Sequence, residues 1–169
     1  MNNLNKHKGN DVEKQRKYVE AKIHLEFCAQ LYQIQIDENR YYLHEHPLTA
    51  SSWKEPCLEK IITHNTNFTT QIHMCAYNMK IPDKYGNQYI YKLTQFLTNS
   101  PLLAAQLERK CNRKHIHARL EGNRTRQAAI YPRQLVQAIC DGIHNQIRAD
   151  KFDENIVAHL ELERGLNAV

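Results

Sequence analysis

From Asp11 to Ile36, apolar residues recur three and four positions apart: Val19, Ile23, Phe27, Leu31 and Ile34, with Cys28 beside them. That spacing predicts one long helix with a single apolar face and a charged first half. "DENR" breaks the period, and "YYL" opens a short strand that Pro47 ends, because proline has no N–H for a ladder. Thr49, Ser51 or Ser52 then caps a second helix carrying Trp53, Leu58, Ile61 and Ile62. A second strand follows over "FTTQIHMCAY". Strand, helix and strand in short succession predict a right-handed crossover and a parallel sheet.

The rhythm then changes. "IPDKYGNQ" holds the turn formers Pro82, Asp83, Gly86 and Asn87 and leads without a helix into "YIYKLTQFLT", which predicts an antiparallel hairpin at the end of the sheet. Pro101 starts a helix through Leu102, Leu103, Ala105 and Leu107. Pro132 starts another, with Leu135, Val136, Ile139, Cys140 and Ile143 on its apolar side as far as about Ala149. One α/β domain is therefore expected over residues 11–150. It lies between a disordered stretch at 1–10, too poor in apolar surface to offset ordering entropy, and a tail or short helix at 151–169.

Composition narrows the class. The chain has 169 residues, 41% of them hydrophobic, and no apolar run approaches the roughly 20 residues of a membrane helix. A polar N-terminus without a secretory apolar segment points to an intracellular protein, nuclear or cytoplasmic, with no membrane partner. Five widely spaced cysteines without a C-x-x-C pair argue against a disulfide framework. Cys28 and Cys140, on apolar helix faces, are assigned to the core.

The formal charge is +5, and it is unevenly placed. Residues 107–127 hold Arg109, Lys110, Arg113, Lys114, Arg119, Arg124 and Arg126 against only Glu108 and Glu121. This local excess equals that of the whole chain, so any attraction for DNA or RNA phosphates is expected to arise here. The same segment carries Cys111, His115 and His117, and Cys75 on the second strand supplies a fourth metal-ligating side chain, the number a tetrahedral zinc site needs. C-x3-H-x-H is not a standard zinc spacing. The segment is thus read first as a basic, histidine-bearing loop that meets phosphate or solvent, and second as a zinc site.

Glu45 stands at the C-terminal end of the first strand, where open α/β sheets place their ligand crevice. It is a candidate for acid/base work. Strand alternation separates it from His44 and His46, and on spacing alone a carboxylate fixing the turn through Ser51, Ser52 or a helix N-terminus is the simpler role.

Taken in order, "HLEFCAQLYQIQ", "RYYLHEHPLTASSW", "CAYNMK", "KLTQFLTNSP", "CNRKHIH" and "AAIYPRQLVQAI" resemble a domain of retrotransposon-type polyproteins that is itself similar to the catalytic domain of DNA cytosine-C5 methyltransferases. The resemblance spans about residues 24–145. It implies a Rossmann-like, methyltransferase-type three-layer sheet, present as an incomplete C-terminal fragment and closed by an antiparallel hairpin. Glu45 matches the glutamate that in methyltransferases contacts the cytosine edge, but His46 stands where those enzymes carry asparagine. Their Pro-Cys nucleophile and Gly-rich S-adenosylmethionine loop have no counterpart here, since Cys57 in "EPCLEK" lies downstream of the Glu45 strand.

The resemblance therefore implies a mobile-element-derived, catalytically incomplete module that binds nucleic acid, holds no cofactor of its own, and associates with itself or with the rest of a larger polyprotein. Two alternatives stay open: an active base-modifying enzyme using Glu45, and a zinc-stapled interaction module.

Overall fold

The computed structural model describes residues 10–83, 86–118, 120 and 124–166. The expected disorder at 1–10 falls, apart from Asn10, outside them. Asn10 caps the first helix by accepting the Val12 N–H on its side chain.

Helix α1 runs Asp11–Asp37, strand β1 Leu43–Pro47, helix α2 Pro56–Ile62 and strand β2 Phe68–His73. Then come β3 (Lys80–Asp83), β4 (Gly86–Ile90), β5 (Leu93–Thr98), α3 (Pro101–Leu107), β6 (His117–Ala118), α4 (Arg124–Gln127) and α5 (Arg133–Leu166). The chain is mixed α/β, with the strands in two three-stranded sheets.

The expected parallel sheet is not found. In the first sheet β5 lies between β1 and β2 and pairs antiparallel with both, with Glu45 opposite Phe96 and Thr70 opposite the same residue on the other side. Strands β1 and β2 do run the same way, as the helix between them requires, but the returning strand has taken the place between them. The sequence "IPDKYGNQ" is also more than a turn. It supplies β3 and part of β4, a hairpin that forms a second sheet, with β6 added parallel to β4 in the register Tyr89 to His117.

Side-chain alternation on β5 divides the core in two. Leu97 joins Leu25, Ala29, Trp53, Leu58 and Ile61 under α1 and α2, whereas Phe96 joins Ile72, Leu103, Leu107, Leu135 and Ala138 under α3 and α5. Helices thus cover both faces in three layers. Trp53 fastens its layer by donating its indole N–H to the Pro47 carbonyl at 2.9 Å.

Three helix expectations need correction. The side of α1 bearing Val19, Ile23, Phe27, Leu31 and Ile34 faces solvent, and the helix packs instead through Leu25, Ala29, Tyr32 and Ile36. The segment after Pro47 forms a 3-10 turn, Ser51–Lys54, and α2 begins beyond it with Pro56 in its first turn rather than from a serine or threonine cap. Helix α5 continues unbroken through the expected tail to Leu166, and it buries Leu135, Ala138 and Gln146 while leaving Val136, Ile143 and Cys140 exposed. Cys140 is therefore not a core residue.

Helices α3 and α5 touch closely because Gly142 has no side chain. A Cβ built there would stand 2.7 Å from Leu103 Cδ1 and 3.0 Å from Leu103 Cα. Beside this contact the buried Gln146 side chain accepts from Ser100 Oγ at 2.8 Å and from the Leu102 N–H at 3.2 Å. Ser100 in turn caps α3 by accepting the Leu103 N–H.

Candidate metal centre

Cys75 lies two residues beyond β2, in a 3-10 turn over Met74–Tyr77 that Asn78 closes in the left-handed conformation, φ 63°. Its side chain is buried. The chain returns to it after α3. The His73 N–H donates to the Arg109 carbonyl at 3.0 Å, and the Cys111 N–H donates to His73 Nδ1 at 2.9 Å, so the 109–111 backbone is tied against the end of β2. Arg113, also left-handed at φ 60°, turns the chain sharply and aims its N–H at Cys111 Sγ, 3.2 Å away. His115 follows, and His117 enters β6 beside Tyr89.

These turns bring four side chains together. Cys111 Sγ is 3.5 Å from His115 Nε2 and 3.5 Å from His117 Nε2, and His117 Nε2 is 3.3 Å from Cys75 Sγ. All four ligand atoms lie within 4.8 Å of one another. Tetrahedral zinc, with bonds of about 2.3 Å to sulfur and about 2.0 to 2.1 Å to nitrogen, places a sulfur and a nitrogen ligand roughly 3.5 Å apart. The observed separations match that edge length. Aromatic rings hold the imidazoles: His115 stacks on Tyr89 with centroids 4.0 Å apart, and His117 meets Tyr91 edge-on at 5.0 Å.

The protonation states follow from burial and neighbours. Burial, and then the adjacent Cys111, push the Cys75 thiol up to about 12. Burial, followed by His115 and Arg113, holds His117 below the usual histidine range. His73 lies below it too, through burial and then Lys110, Arg113 and His117. A neutral imidazole is the form that ligates a metal. A bound cation would reverse the balance at sulfur, because it favours thiolate over thiol.

Four of the basic residues lie in the loop that carries Cys111 and His115. Arg109, Lys110, Arg113 and Lys114 are exposed, and the Arg109 guanidinium rests over the Tyr77 ring at 4.9 Å. Arg126 is exposed on α4, which also contains Arg124. Arg119 lies outside the described residues, as does the side chain of Arg124.

Glu45 is placed elsewhere. Its carboxylate is 4.0 Å from Lys92 Nζ and adjoins Tyr131, whose hydroxyl is held above the ordinary tyrosine range by burial and then by Glu45. His44 and His46 project to the α1 side of β1, where His44 meets Tyr32 and Trp53 and His46 bonds to Ser52.

No family model, curated protein or solved structure matches this chain.

Residue spacing had put the zinc reading second, because C-x3-H-x-H is irregular. What it could not convey is that Arg113 turns the loop back and that His73 anchors it. The supporting residues His73, Tyr89 and Tyr91 carry no ligand signature of their own. The nearest sequence signal is the Tyr-x-Tyr alternation of residues 89–91, which sets both rings on one side of the extended chain.

Proposed function

We propose that this chain is a zinc-stapled, methyltransferase-like module of mobile-element type that binds nucleic acid without completing methyl transfer. The observation that carries it is the convergence of Cys75, Cys111, His115 and His117, whose ligand atoms lie within 4.8 Å of one another with three of the separations at 3.3 to 3.5 Å. Four protein ligands complete zinc's tetrahedral shell and leave no open position for substrate, the mark of a structural site. Its role here is to hold the basic loop in one shape, so that Arg109, Lys110, Arg113 and Lys114 present their charges together.

The methyltransferase-like part of the reading draws on the ordered sequence motifs and on the topology of the first sheet. Two same-direction strands joined by a helix, with an antiparallel strand returning between them, are compatible with the end of a methyltransferase-type sheet. His46 stands where such methyltransferases carry asparagine after the glutamate, which supports a module that does not complete methyl transfer.

Elemental analysis of the chain purified under reducing conditions tests the metal, with about one zinc per chain expected and substoichiometric zinc counting against it. A salt series tests the polyanion surface. Binding to nucleic acid should weaken steeply with salt, and replacing Arg113 and Lys114 together with Ala should flatten the slope by up to about two units. An unchanged slope would make the loop ordinary surface.

A further inference from the structure

Against the metal cluster, with Cys75, Cys111 and His115 in its lining, is an open concavity of about 540 Å³, within the roughly 300 to 1,000 Å³ of small-ligand sites. Arg109, Lys110 and Asn112 from the loop form one wall, Asn78 and Tyr89 a second, and Gln134 from the first turn of α5 a third. Its lining contains two cations and no carboxylate, and the exposed Lys110 Nζ lies 3.9 Å from the Glu108 carboxylate outside it. The Arg109 guanidinium is steadied by Tyr77 rather than spent on an acid, as it makes no ion pair among the described residues. The three amides offer paired donors and acceptors. Asn112, whose Oδ1 accepts the Lys114 N–H at 3.0 Å, is held in place in this lining.

We infer that this concavity takes one phosphorylated nucleotide of a single-stranded nucleic acid, with the phosphate on Arg109 and Lys110 and the base or sugar edge on Asn78, Asn112 and Gln134. The inference rests on the nucleic-acid part of the function proposed above and not on the metal being zinc. A planar guanidinium fork suits phosphate oxygens, and asparagine and glutamine amides form matched pairs with base edges. A recess of this size selects against duplex, because a paired and stacked base enters a cavity only after unpairing at a cost of a few kcal/mol. An acidic peptide would meet the same two cations, and it is the competing occupant that the test includes.

The test uses the full chain, with its zinc content determined first. The probes are a labelled single strand of DNA or RNA, the corresponding duplex, and an oligoglutamate peptide, each titrated at low salt, with adenosine monophosphate, adenosine and inorganic phosphate as competitors. The single strand should bind most tightly, adenosine monophosphate should displace it, and adenosine should not. Arg109→Gln should weaken strand binding about tenfold and lower the salt slope by about one unit. Gln134→Ala, an exposed change without folding consequences, should weaken it severalfold, whereas Lys60→Gln on the distant α2 should not. Duplex or oligoglutamate binding as tight as the single strand, or affinity unchanged in both cavity variants, overturns the inference. The readings fail separately: strand binding that both cavity variants leave unchanged sinks the nucleotide site alone, no binding to strand or duplex sinks the nucleic-acid reading with it, and competed strand binding without zinc sinks the metal alone.

Discussion

His117 Nε2 stands 3.3 Å from Cys75 Sγ although 42 residues of chain separate them. This contact joins the turn after β2 to β6, a strand of two residues that pairs with β4.

Loss of this link should be visible in stability. Cys75→Ser is expected to abolish stoichiometric metal and to lower Tm by about 5 to 10 °C, equivalent to a few kcal/mol in a chain of this size. Chelation of the unaltered protein should reproduce that shift. Cys140→Ser, an exposed change, should alter neither metal content nor Tm, and equal behaviour of the two variants in calorimetry and elemental analysis would refute the assignment.

Methyl transfer should be absent. No cysteine in this sequence matches the nucleophile that attacks the cytosine ring before methylation. Labelled methyl groups appearing in a cytosine-containing duplex, and lost on Glu45→Gln, would reverse the assignment and give Glu45 a catalytic role.

Acid should destabilise the α1 layer through His44. Burial, reinforced by His46, lowers this histidine from 6.5 to about 4. Its folded value lies below its unfolded one, so the stability it contributes is complete above about pH 6.5 and is lost as pH falls towards 4. The loss is on the order of 3 kcal/mol at most. In His44→Gln the fall in Tm between pH 6.5 and 4 should be shallower than in the unaltered chain. Parallel curves from thermal melts would show that other groups govern it.

Gly142→Ala should cost about 1 to 3 kcal/mol. The new methyl would meet the Leu103 backbone at 3.0 Å as well as its side chain, and a backbone atom cannot rotate aside. Urea denaturation of the purified variant measures the cost. A neutral or stabilising result would mean that α3 and α5 separate easily.

The helices were legible wherever apolar spacing coincided with a start signal, as at Pro101 and Asp11. Their buried faces were less so. On α1 two apolar stripes compete, and the bulkier one, through Ile23, Phe27 and Leu31, lost to the stripe of Leu25 and Ala29, which fits closely beside Trp53 and Leu58. Local patterning reports which faces can be buried, while packing area and shape decide which one is. Sheet order was hidden for a related reason. Nothing in "FTTQIH" or "LTQFLT" states whether β5 pairs with one neighbour or two. The metal centre was legible as residue types, but its convergence depends on the left-handed turn at Arg113 and the His73 anchor, and neither leaves a spacing signature.

The central position of β5 has a consequence for how the chain acquires its fold. Strand β1 is synthesised some fifty residues before β5, the only partner it has in the sheet, and β2 about twenty-five before it. On a ribosome, α1, β1, α2 and β2 therefore emerge with no ladder to join, and the sheet closes in one step when β5 arrives between two waiting edges. Contacts of this sequence separation slow folding, and unpaired edges invite pairing between nascent chains. Truncation before Thr98 should therefore give a collapsed, association-prone product, and the earliest nascent chain in which this part resists protease should be one long enough for Thr98 to have left the exit tunnel.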